Sequence, residues 1–179
     1  EHVQFVTHLR EDLDLLDHAK ELGFAALEVS LGNLENIEPS KIRTRAEKVG
    51  IEVISALGLS REYALATPDA DTRRRTVEFL KTAVSALRDM GGRLFGGMCY
   101  AVPGRFSGTG PTTDELSQLA EGLHEVAAFA QGCGVSLAIE PVNRYETYLL
   151  NTAAQAQALI DRVGAPNLRL LHDTYHMNI

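Results

Sequence analysis

Strand-like and helix-like spacings of apolar residues alternate along this whole chain, which restricts the fold to units in which a strand is followed by a helix. The run VQFVTH reads as the first strand. Leu13, Leu16, Ala19 and Leu22 then form a helical stripe that Gly23 ends, and FAALEVS reads as the second strand. Pro39 opens a helix through Ile42, Ala46 and Val49, stopped by Gly50 before the strand IEVISAL. Thr67-Pro68 predicts an N-cap with proline at the first helical position, and Val77, Leu80, Val84 and Leu87 continue as a buried stripe up to the strand RLFGGM. Thr112 with Glu115 fits a capping box ahead of Leu116, Leu119, Leu123, Val126 and Ala130, with Gly132 and Gly134 breaking the pattern before VSLAIE. Asn151 or Thr152 caps a further helix through Ala156, Leu159, Ile160 and Val163. Gly164 stops it, Pro166 bars its continuation, and LRLLHD is the sixth strand.

Successive parallel strands joined by right-handed crossovers build either an open doubly wound sheet or a barrel. No glycine-rich phosphate loop of the GxGxxG or Walker type follows the first strand, which weakens the dinucleotide-binding reading. A (β/α)8 barrel usually takes ~250 residues, whereas this chain of 179 residues stops just after its sixth strand. The expected architecture is therefore an α/β TIM barrel that is incomplete. Residues 1–179 read as a single partial (β/α)8 domain of about six βα units lacking its C-terminal units, and the start at Glu1 suggests trimming there as well. An open barrel leaves two sheet edges and apolar helix faces bare, which predicts pairing or aggregation of the isolated chain.

The balance of 24 acidic against 17 basic residues, a formal charge of −7, argues against nucleic acid or an anionic membrane as a partner. The Arg73-Arg74-Arg75 run lies early in an amphipathic helix and reads as a solvated face. Two cysteines and no recognisable secretory segment speak against a disulfide framework and for a reducing cytoplasm. Cys133 in QGCGV reads as packing. Cys99 in GGMCY faces the strand-end rim but has no basic neighbour, so it reads as a small buried hydrophobe.

Chemistry concentrates in the last forty residues, where Glu140 and Asp173 each follow a short apolar run with a helix between the two runs. Both side chains are expected at one rim of the parallel sheet, the rim where barrel enzymes hold their reactive groups. Either carboxylate alone is more often a salt bridge or a helix cap. Together, with His176 nearby, they form part of a ligand set suited to a hard or borderline divalent cation. The loop PVNRYETY brings Asn143, Arg144, Tyr145 and Glu146 over the barrel mouth, where polar groups either grip hydroxyls or phosphate or are simply solvated. His172 is expected on the side of the strand opposite Asp173, packed among the outer helices. Glu28 and His8, closing earlier runs, point to the same rim but read more readily as structural hydrogen-bonding groups. Tyr100 and Phe106, after the fourth strand, either form an apolar wall of the site or pin their loop.

The segments IEPVNRYETYLLNTAAQA and VGAPNLRLLHDTYHMNI, with LGFAALEVSLG and GGMCY earlier, resemble the sugar isomerase and epimerase family with a xylose-isomerase-like barrel, most closely its ketose 3-epimerases of the D-tagatose and D-allulose (D-psicose) type. The resemblance is most specific in the final forty-five residues. It implies that Glu140 is both a metal ligand and a catalytic acid/base, that Asp173 is a second metal ligand, and that Glu146 and His176 hold substrate hydroxyls. It further implies a divalent cation, Mn2+ first with Co2+ or Mg2+ as substitutes, and two more ligands, a histidine and a second catalytic glutamate, from later strands. A cytoplasmic homo-oligomer, dimer or tetramer, acting on a small-molecule ketose is what such a relative would be.

The reaction agrees with the residues. Inverting a carbon next to a ketone requires loss of its proton, and a dication that polarises the carbonyl stabilises the resulting enediolate. The proton must return on the opposite face, which calls for a second acid/base. Hydroxypyruvate isomerase or inosose-type chemistry uses the same machinery on other substrates. An abasic-site endonuclease on this barrel would need more metal ligands and a basic groove, which the composition does not offer. A fragment with half its ligands could also be a non-catalytic piece that binds metal weakly.

Overall fold

A computed structural model of the chain describes residues 4–7, 13–35 and 37–179. Its elements alternate throughout: β1 Gln4–Thr7, α1 Asp14–Glu21, β2 Ala26–Ser30, α2 Pro39–Val49, β3 Glu52–Ala56, α3 Ala70–Asp89, β4 Leu94–Gly97, α4 Thr113–Gly132, β5 Ser136–Ile139, α5 Ala153–Val163, β6 Leu168–Leu170 and α6 Thr174–Met177. The six strands form one parallel sheet in chain order, as expected for consecutive βα units of a barrel wall. His8 lies outside the described residues. No helix among the described residues is long and apolar enough to cross a membrane.

Helices α1 to α5 pack in sequence against one another and cover one face of the sheet. The strand residues turned toward them, Leu27, Val29, Val53, Phe95, Leu137, Ile139 and Leu168, are buried and form the core with the apolar stripes of the helices. In α3 the expected stripe of Val77, Leu80, Val84 and Leu87 is buried. Each such side chain contributes about 1.5–3 kcal/mol of burial. The α1 stripe is shorter than expected. The helix ends at Glu21, so Leu22 sits at the C-cap and is 60% exposed.

Two of the helix starts follow the expected capping chemistry. Thr112 and Glu115 exchange hydrogen bonds in a full capping box for α4, and Thr152 with Gln155 does the same for α5. Asn151 is not the cap. Its Nδ2 donates to the carbonyls of Val142 and Thr147 and ties the preceding loop together. Helix α3 begins two residues later than Thr67-Pro68 predicts. Asp69 is its N-cap, accepting from the Asp71 N–H at 3.1 Å, because a carboxylate just after the proline satisfies a free helical donor.

The opposite, inner face of the sheet is lined by small residues at its centre. Ala56 pairs with Gly96, Gly96 with Ala138, and residues paired this way in a parallel ladder face the same side. A Cβ on Gly96 would lie 3.1 Å from Leu171 Cδ1, so the missing side chain leaves room for Leu171 to fold over the strand. Gly97 has φ 95°, and a Cβ there would meet the Leu57 backbone at 2.9 Å. Gly97 therefore lets β4 end against the β3 terminus while its carbonyl accepts the Glu140 N–H at 3.1 Å.

Candidate active site

Glu140 is the first residue beyond β5, and three contacts fix where its side chain emerges. Its N–H is held by Gly97, its carbonyl accepts from the Tyr100 hydroxyl at 2.9 Å, and β5 itself is buried beneath α4. Tyr100 also donates to Leu150 O and is buried, so it pins the loops and does not wall a sugar site. Phe106 stands 52% exposed. Cys99 is buried, and burial pushes its thiol up to about 12, in keeping with a packing role.

Asp173 is placed differently from expectation. Strand β6 ends at Leu170, so Asp173 lies past the ladder and caps the short helix α6, accepting from the Tyr175 N–H at 2.8 Å through Oδ1. The i to i+3 spacing then brings His176 over the same side, with Nε2 4.0 Å from Asp173 Oδ2 and 3.9 Å from Glu140 Oε1. One ligating atom each from Glu140, Asp173 and His176 lie within 4.8 Å of one another. Glu146 approaches the same imidazole from its other edge, 3.6 Å from Nδ1. The four residues singled out in sequence thus converge, although one of the two acids reaches the site as a helix cap.

His172 is a correction. It is exposed and lines the mouth cavity where it was expected among the outer helices. The strand alternation on which that expectation rested stops at Leu170, two residues earlier. The cavity has a volume of about 490 Å³ and is bounded by Glu28, Ala56, Glu140, Leu171, His172 and Asp173. Three carboxyls and the His172 imidazole share its lining with Ala56 and Leu171.

Burial pushes the Glu140 carboxyl up to about 7. His176 opposes that rise, while the carboxylates of Asp173, Glu28 and Glu146 add to it. Glu28, on the inner face of β2 and only 7% exposed, is likewise raised to about 7 by burial. The structural hydrogen bond expected of Glu28 is not formed: its carboxyl has no side-chain partner among the described residues and faces the cavity. A carboxyl near 7 exchanges protons readily at neutral pH, which suits an acid/base.

The loop between β5 and α5 is more ordered than its composition suggests. Asn143 is 4% exposed and its Oδ1 accepts from the Tyr145 N–H at 2.9 Å, an Asx-type turn, while Glu146 N donates to Asn143 O. Asn143 Nδ2 reaches Glu146 Oε1 at 3.2 Å and His176 Nδ1 at 3.0 Å. The loop after β4 grips this one from outside. Gly104 N donates to Glu146 O at 2.7 Å, and Arg105 and Thr147 form a parallel bridge. Sequence reasoning had placed Asn143 in the loop without assigning it this central position. The Asn-x-Tyr-Glu spacing was the local signal for the turn, but its link to His176 spans 33 residues.

A family model described as xylose isomerase-like TIM barrel matches residues 16–179. L-ribulose 3-epimerase of Mesorhizobium japonicum is 36% identical over 164 residues, 92% of this chain and 55% of that protein. D-psicose 3-epimerase of Enterocloster bolteae is 29% identical over 92% of this chain and 56% of its own length. Among solved structures, one of L-ribulose 3-epimerase superposes with a TM-score of 0.90 at 31% identity, covering 98% of this chain and 61% of that one. The chain spans just over half the length of the curated relatives it matches.

Proposed function

Because this chain belongs to the xylose isomerase-like TIM barrel family, we propose that the protein is a metal-dependent sugar epimerase that inverts C3 of a ketose through an enediolate. The observation that carries the reading is the meeting of Glu140, Asp173 and His176 within 4.8 Å, in a chain similar to several ketose 3-epimerases. The donor set fits a divalent cation. Two carboxylates supply hard oxygen ligands, and Asp173 keeps Oδ2 turned toward the cluster while Oδ1 caps α6. Glu140 and Asp173 would hold Mn2+, or Co2+ or Mg2+ in its place. When bound, the cation supplies Lewis-acid polarisation of the substrate carbonyl.

Glu140 removes the proton from C3. Its carboxyl stands in the mouth cavity, 3.9 Å from His176 Nε2, where a carboxylate can take a proton from a substrate carbon. Glu146 and His176 hold hydroxyls of the sugar and fix which carbon faces Glu140. Inversion needs the proton to return on the other face, and the family resemblance assigns that second acid/base to a glutamate of a later strand. Ala56 and Leu171 line the cavity between Glu28 and Glu140 in which the substrate would sit.

Incubating the full-length protein with Mn2+ and D-fructose, D-tagatose or L-ribulose, and separating C3 epimers by chromatography, tests the proposal. Accumulation of the epimer is the expected result. Absence of turnover on every ketose under conditions where metal binding is demonstrated by titration rejects it, and isomerisation of hydroxypyruvate or an inosose instead would move the protein to another member of the family.

A further inference from the structure

The cluster around Glu140 leaves the role of His176 open, because its imidazole could either ligate a cation or donate a hydrogen bond. The backbone N–H of Asn143 points at Nδ1 of His176 at 3.3 Å. A backbone N–H can only donate, so Nδ1 must accept. The Asn143 side-chain amide reinforces this. Its Oδ1 is fixed by the Tyr145 N–H, which leaves Nδ2, also a donor, facing Nδ1 at 3.0 Å. The second Nδ2 hydrogen is directed at Glu146 Oε1, 3.2 Å away. A neutral imidazole that accepts at Nδ1 carries its proton on Nε2, the nitrogen that faces Glu140 and Asp173.

We propose that Asn143 is a positioning residue that locks His176 in the Nε2–H tautomer, so that the ring presents a hydrogen-bond donor, and not a metal-ligating lone pair, to the space between Glu140 and Asp173. Metal-ligating histidines have the reverse arrangement, in which the non-ligating nitrogen donates its N–H to a carboxylate or carbonyl. Here that nitrogen meets two donors, and Glu146 lies beyond hydrogen-bond range of it at 3.6 Å. Asn143 also fixes Glu146, so one buried amide sets the orientation of both groups proposed to hold substrate. It is 4% exposed and all its side-chain polar atoms are engaged, which makes the arrangement rigid before any ligand arrives. In the epimerase reading, on which this second step rests, the Nε2–H is the group that donates to a substrate oxygen beside the cation.

The tautomer is read directly from two-bond 1H–15N correlation spectra of 15N-histidine-labelled full-length protein, with the His176 signals assigned by their loss in His176→Gln. The expected spectrum shows a protonated Nε2 and an unprotonated Nδ1, unchanged in kind when Mg2+ is added. Asn143→Asp replaces the amide donor by an acceptor that competes with the retained backbone N–H, and a population protonated at Nδ1 is expected to appear. With a ketose as substrate, kcat/KM then falls about 10- to 100-fold, mainly in kcat. A proton on Nδ1 in the wild-type protein, a Mg2+-induced shift of Nε2 that marks ligation, or an Asn143→Asp enzyme with wild-type kinetics overturns the inference. The wild-type spectrum decides alone if Asn143→Asp fails to fold. If no ketose is turned over but the Nε2–H tautomer is observed, the epimerase reading fails and the assignment of Asn143 stands.

Discussion

On the outer face of the sheet Leu27, Val29, Phe95, Leu137 and Ile139 are fully buried beneath the helices, whereas the inner face of the same wall leads to Glu28 and Glu140, two carboxyls pushed up to about 7 by burial. The outer residues gain stability from every methylene removed from water. The inner acids lose it, since a carboxylate deprived of solvent and of hydrogen-bond partners is held at a cost. One face therefore holds the wall together, and the other keeps groups in states that only a ligand would satisfy. The difference teaches where substitutions should harm folding and where they should harm chemistry.

Glu140→Gln is the sharpest break of that comparison. Replacing the proposed base by an amide should lower epimerisation by about 10²- to 10⁴-fold, while urea unfolding of the metal-free protein shows no loss of stability. A large drop in the unfolding midpoint would mean that the inner face carries structural weight after all. Phe95→Ala tests the other side. It removes a fully buried ring from β4 and should destabilise by about 3–5 kcal/mol, seen as a lower denaturation midpoint. Any surviving folded fraction should keep its metal affinity.

The smallest expected effect concerns Glu28 and pH. Burial raises its carboxyl to about 7 from an ordinary 4.5, so the folded state binds more protons than the unfolded state between those limits. The stability that its protonated form contributes is present below the unfolded value and is lost as pH rises through the folded one. Glu28→Gln removes this dependence. The metal-free variant should gain on the wild type by about 1–2 kcal/mol on going from acid to neutral pH, a figure reduced for partial solvent screening. Parallel stability curves for the two proteins would show that Glu28 is not held against its preference.

The fold was legible wherever its determinants were local. The capping boxes at Thr112 and Thr152, the glycine stops at Gly50 and Gly164, and the α3 stripe all depend on residues within a few positions of one another. Failures arose where two local rules competed or where an element stopped early. Asp69 displaced Thr67 as the α3 cap, and the short β6 released His172 from the alternation that would have turned it outward. The convergence of Glu140, Glu146, Asp173 and His176 was anticipated, yet Asn143 was not seen as the residue between them. Its partner His176 comes from α6, and no spacing rule within the β5–α5 loop reports a contact made across the mouth.

The rung that joins Gly104 to Glu146 and Arg105 to Thr147 makes the loops after β4 and β5 a single cassette. Recasting substrate range by grafting one loop from a relative would tear that seam and shift Glu146 along with it. Loop exchange in this scaffold should therefore move both segments together, from Met98 through Asn151, as one transplantable part.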